Sequence, residues 1–129
     1  MNTRTTILTG AIAGALAVGL GAFGAHALKP FLLETGRTET FELAVRYQFY
    51  HALALLFAGI IQTWYKTGYL RASSFAFTTG MVLFCGSLYA LCFTGIREVA
   101  LITPAGGVLF IAGWLLLVAG VWKIKSHPD

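Results

Sequence analysis

From Ile7 to Ala27 the chain runs without one charged side chain, long enough for one crossing of a bilayer, which needs about 20 apolar residues. Three further apolar runs follow, over about residues 47–64, 73–93 and 104–122. Water is the wrong solvent for such a chain. A soluble domain carries about 25% charged residues, and here 11% are charged and 57% hydrophobic, with mean hydropathy +0.77. The runs lack the period-two alternation, sustained over about ten residues, of a transmembrane β-barrel strand. The expected fold is therefore all-α. It is a membrane-embedded four-helix transmembrane bundle with short loops, forming a single domain over residues 1–129 with spans at about 7–27, 47–64, 73–93 and 104–122.

The first run admits two readings. Arg4, an apolar stretch and Ala25-His26-Ala27 imitate a secretory signal with its cleavage site, which would leave three spans. The helical wheel argues for retention. Ile12, Leu16, Leu20 and Phe23 form a narrow bulky arc, while Gly10, Gly14, Ala17, Gly21 and Gly24 form another. Ala11, Ala15, Gly19, Ala22 and His26 fill the side between. Small residues let helix backbones approach in lipid, and a discarded signal has no use for such a face. Lys29-Pro30 is expected to stop this helix. Residues 31–40 read as an interfacial connection with a short amphipathic turn, and Thr38 or Thr40 as a cap for the next helix.

Phe41 to His51 is the most unusual stretch. Glu42, Arg46, Gln48 and His51 stand with the rings of Tyr47, Phe49 and Tyr50 at the mouth of the second apolar run. That mixture suits a helix passing through the headgroup zone. Glu42 and Arg46 are four apart in the favourable order for an ion pair; alternatively Arg46 snorkels to the headgroups. On the wheel, Ala44, Tyr47, His51, Ala54, Ala58 and Gln62 share a small or polar side that should face protein. In the third run Ser73, Gly80, Ser87 and Thr94 recur every seven residues, as do Gly106, Gly113 and Gly120 in the fourth. Both patterns read as packing seams. Thr103-Pro104 has the form of a helix start, with Thr as cap and Pro at the first position. Cys85 and Cys92 lie too far apart on one helix for a disulfide and read as small buried hydrophobes.

Four spans put Arg4, Lys66, Arg71, Lys123 and Lys125 on one side, and Lys29, Arg37, Arg46 and Arg97 on the other. The slight basic excess places both termini in the cytoplasm.

Gly21-Ala-Phe-Gly-Ala-His-Ala-Leu28, Tyr47-Gln-Phe-Tyr-His-Ala-Leu-Ala-Leu55, Phe84-Cys-Gly-Ser-Leu-Tyr89 and Ile102-Thr-Pro-Ala-Gly-Gly107, with Gly113-Trp114 beyond, resemble the small bacterial membrane protein family that includes YgdD and YwdK. The blocks keep one order and cover nearly the whole chain. Cys85 stands where a small Ser is expected, and Ala105 where a bulkier residue is. The resemblance implies a four-span, multi-pass protein of the bacterial inner membrane with a retained first helix. It implies no enzyme activity.

The residues offer little chemistry. There is no Gly-rich phosphate loop, no Ser/His/Asp set and no paired intramembrane carboxylates. The net charge of +4 is not clustered, which excludes nucleic acid as a partner. Of the histidines, His127 lies in the tail, so a metal site of three or four ligands is not expected, and neither is a cofactor. Bis-histidine haem ligation by His26 and His51 is the one redox arrangement available. Three functions are carried forward. The first is a non-catalytic membrane protein acting by packing with itself, with lipid or with a membrane-protein partner; self-association would use a Gly seam left free. The second is a binding or transport module for a small amphipathic or lipid-like ligand at the outer face. The third is a redox or enzyme subunit using His26 and His51. Polar groups at the outer end cannot rely on water and should bond one another. A cluster is expected around His51, with Tyr89 and Thr103, or the backbone of residues 103–107, as partners, Tyr47 and Tyr50 beside it and His26 at its margin.

Overall fold

The computed structural model describes residues 1–124; the expectations for Lys125 and His127 lie outside them. Five α-helices follow in order: α1 (Thr3–Ala25), α2 (Lys29–Glu34), α3 (Thr38–Trp64), α4 (Gly68–Thr94) and α5 (Thr103–Trp122), with a 3₁₀ turn at Arg97–Leu101. Four segments are long and apolar enough to cross a membrane. Among the described residues there is no strand. Each long helix starts ahead of the apolar run that announces it. The largest extension is in α3, whose first nine residues carry the charged stretch ahead of Tyr47. Backbone bonding continues there because a helix closes its own hydrogen bonds whether or not its side chains are apolar.

Several end signals act differently from their expected use. Lys29-Pro30 does not stop α1, which ends at Ala25; Pro30 sits at the start of α2, where a missing N–H costs nothing. Thr38 opens α3 without a capping bond, and its Oγ1 is buried without a partner. Thr103 is already helical and caps nothing; its hydroxyl meets that of Ser87 at 2.6 Å. True side-chain caps come from Asn2, accepting from Thr5 N at 2.8 Å, and Thr67, accepting from Leu70 N at 3.2 Å. Gly36 and Gly95 take φ of +67° and +69° in the turns that end α2 and α4, a region L side chains avoid.

The long helices pack in chain order: α1 on α3, α3 on α4, α4 on α5, with no extended contact between α1 and either α4 or α5. The two heptad seams face each other. A Cβ on Gly106 would strike the backbone of Phe84; one on Gly113 would come within 2.6 Å of the Phe77 ring, and one on Gly120 within 2.9 Å of Leu70. Phe84, Phe77 and Leu70 are themselves seven apart, so α4 bulk fills α5 gaps in register. Ser73 Oγ donates to Gly113 O at 2.8 Å across the same interface. In α1, Gly10, Gly14, Gly21 and Gly24 lie against α3, with Gly10 close to Ala52 O and Gly24 under the Phe41 ring. Both glycine seams are thus filled from within the molecule. Of the small-residue side of α1, only this half is covered. Ala11, Ala15, Gly19, Ala22 and His26 are exposed, as are the bulky Ile12, Leu16 and Phe23. Cys85 and Cys92 are free thiols, both buried.

Serial packing leaves lateral grooves. One runs between α1 and α4 with Gln48 of α3 in its floor, about 530 Å³ in volume. Another lies between α3 and α5, about 540 Å³, lined chiefly by rings.

Candidate functional site

His51 is buried at the contact of α3 with α5. Its ring lies flat on Phe110, centroids 3.5 Å apart and planes 9° from parallel. Nδ1 is 2.7 Å from Tyr47 O, and Trp114 Nε1 donates to Nε2 at 3.3 Å. An indole N–H only donates, so Nε2 accepts and the proton sits on Nδ1, facing the carbonyl. Both ring nitrogens are thereby occupied. Tyr47 stacks on Phe84 at 4.8 Å, and Tyr50, more than half exposed, lies 6.0 Å from the Tyr47 ring.

The expected partners of His51 are elsewhere. Tyr89 OH donates to Gln48 Oε1 at 2.8 Å, and Gln48 Nε2 donates to Ala13 O at 2.9 Å. That chain links α4, α3 and α1. Thr103 pairs with Ser87, linking α5 to α4. His26 is an exposed residue at the end of α1. The expected single cluster is therefore three separate ties, with His26 in none of them. The cause is helix rotation. Gln48 lies about 60° from His51 around α3, so Gln48 meets the α1/α4 side while His51 meets α5. Glu42 and Arg46 form no ion pair; both are exposed and line a small chamber beside α1.

Residues that the sequence reading did not place in the cluster carry much of this network. Trp114, next to Gly113 on the packing seam, and Ser87, on the α4 seam, both complete ties. Gln48 had a signal of its own: an amide inside an apolar helix needs a partner, because burying it unpaired is costly. At the opposite end Gln62 Nε2 donates to Leu70 O at 3.1 Å and Ser74 Oγ at 2.8 Å, and Thr3 Oγ1 donates to Gln62 O at 3.2 Å.

Haem ligation by His26 and His51 does not fit this geometry. Gly24 packs on Phe41, so His26 lies near the start of α3 and His51 is about 15 Å further along the axis at 1.5 Å per residue. One metal centre does not bridge that separation, and Nε2 of His51 is already engaged.

Four membrane-length apolar helices, tied to one another by their own interior polar groups, define a small polytopic integral membrane protein. Residues 20–107 match the family described as "Protein of unknown function (DUF423)", and the chain belongs to that family. It is 47% identical to a UPF0382 membrane protein of Staphylococcus saprophyticus over 94% of this chain and 99% of that one. It is 44% identical to a UPF0382 membrane protein of Staphylococcus epidermidis over 95% and 99% of the two chains. It is also 38% identical to the UPF0382 inner membrane protein YgdD of Escherichia coli K12, over 97% and 95%. The family resemblance read from the sequence blocks is confirmed. No solved structure matches.

Proposed function

We propose that this protein acts without catalysis, as an inner-membrane protein that holds a hydrocarbon chain of the surrounding lipid in the groove between α1 and α4. The groove itself carries the reading. It extends from Thr9 to Leu20 along α1 and from Thr78 to Tyr89 along α4, about 16 Å in each case, around the middle of both helices, where the surrounding bilayer is hydrocarbon. Its rim residues Ile12, Leu16 and Val82 are exposed, so it opens sideways toward hydrocarbon. The floor is closed by the Tyr89–Gln48–Ala13 chain, whose polar atoms already have partners and ask nothing of a ligand. No charged side chain lines it, its thiol, Cys85, is buried, and its phenol, Tyr89, is already bonded to Gln48, which favours holding over chemistry. In this reading both termini face the cytoplasm. The support is the even number of spans and the slight excess of basic residues in the sequence at that end, five (Arg4, Lys66, Arg71, Lys123 and Lys125) against four.

Gly86 lines the groove, and a Cβ there would meet nothing within 4 Å. Gly86→Leu fills the space without a clash, and removing a mid-helix glycine gains about 1 kcal/mol of helix propensity. Native mass spectrometry after mild detergent extraction should show the variant retaining less lipid than the wild type, with unfolding temperature unchanged or raised. Equal lipid retention by the two would overturn the reading.

A further inference from the structure

We infer that the outer ends of α1 and α3 form a binding site for an amine-bearing zwitterionic phospholipid, with Arg46 taking the phosphate, Glu42 the ammonium and the trough below them an acyl chain. The site is on the other side of α1 from the α1/α4 groove and does not rest on that groove's being occupied.

Three observations converge. Glu42 and Arg46 stand one turn apart on α3, a spacing and order that normally favour pairing, yet they form no ion pair. Instead both line one chamber of about 200 Å³ against Gly21, Gly24 and Ala25 of α1. Below it, and sharing Gly21, Val45 and Arg46, runs a trough of about 290 Å³ whose other walls are Ala17, Val18, Phe49 and Tyr50. Charge above and an apolar slot below, joined at Arg46, is the polarity of a lipid.

Depth selects the counterion. Val45 packs on Gly21, four residues before the end of α1, so Arg46 leaves the backbone about 6 Å inside that end. A guanidinium at this level keeps its charge by reaching to the headgroup layer. There it meets phosphodiesters, whose oxygens match its fork of donors. Glu42, one turn nearer the surface, would repel a purely anionic headgroup but complements the ammonium that follows the phosphate in an ethanolamine headgroup. The small residues of α1 let α3 close the back of the chamber: a Cβ at Gly21 would press on Val45 and one at Gly24 on the Phe41 ring, both of them chamber walls.

The test uses purified full-length protein and native mass spectrometry with synthetic lipids of identical acyl chains carrying ethanolamine, choline or glycerol headgroups. Wild type should retain the ethanolamine lipid about tenfold over the other two, the size of one charge-assisted hydrogen bond. Choline presents no N–H to Glu42, and glycerol no cation. Arg46→Gln should lose retention of all three, while Glu42→Gln should keep binding but lose the preference. Thermal unfolding controls for folding, since both side chains are exposed. Gly86→Leu should leave headgroup preference intact, so that loss of the groove reading and loss of this one are told apart. No headgroup preference in the wild type, or unchanged preference in both Glu42→Gln and Arg46→Gln, would overturn the assignment.

Discussion

His51 shows how a polar residue becomes structural in a membrane interior. Its imidazole combines a flat contact with Phe110, a bond to the Tyr47 carbonyl and acceptance of the Trp114 N–H. No protein atom is left to bond through that ring. Truncating His51→Ala removes the stack and strands the indole N–H, so a loss on the order of 3 kcal/mol is expected. His51→Phe keeps the stack and should lose only about 1 kcal/mol, the scale of one interhelical hydrogen bond in a membrane. Unfolding temperatures of the purified variants check the order wild type, Phe, Ala; equal losses for both would deny the stack its role. That His51 faces protein was legible from its wheel position beside Ala44, Ala54 and Ala58, all buried. Its partner was not, because a ring's neighbour across an interface depends on the rotation of α5. One sequence has no means of recording that rotation.

Helix existence and packing faces were legible element by element; helix ends were less so. Gly106, Gly113 and Gly120 announced a groove, and α4 bulk at Phe84, Phe77 and Leu70 fills it. The start of α3 was hidden because hydropathy marks where lipid begins, whereas a helix ends where its hydrogen bonds do. The threonines at 38 and 103 resembled caps by type and position, yet Thr103 found a better partner in Ser87. Glycines on covered and open faces make the contrast measurable. Gly106→Ala drives a methyl into the Phe84 backbone, and a shift of α5 is expected, with loss of about 2 kcal/mol or more. Gly19 has nothing within 4 Å, so Gly19→Leu should be tolerated and gain up to about 1 kcal/mol. Comparable destabilisation of both in detergent unfolding would show that the α4/α5 seam is not the close contact described.

At the level of the molecule, orientation is the property that sequence carried most weakly, since it rests on a small excess of basic residues. It is open to direct measurement. With Cys85 and Cys92 replaced by alanine, Glu34→Cys should react with a membrane-impermeant maleimide in intact spheroplasts. Lys66→Cys should react only after lysis. The reverse pattern would invert the topology and would move the Glu42/Arg46 chamber to the cytoplasmic leaflet. The serial arrangement of the long helices was not legible. A pattern of small residues tells which face is close to something, but not which helix comes to it, and half of the small face on α1 is in fact left open.

That arrangement bears on how the protein is made. Each long helix rests on the one that left the ribosome just before it, and α1 and α5, synthesised first and last, never need to find each other. A helix arriving in the bilayer therefore has its main docking face waiting, while side chains such as His51 of α3 wait for Phe110 and Trp114 of α5. Local pairing of this kind keeps the entropic cost of loop closure low at each step. The chain can assemble at the pace of translation, one hairpin after another, with the glycine seams closing in the order in which they are written.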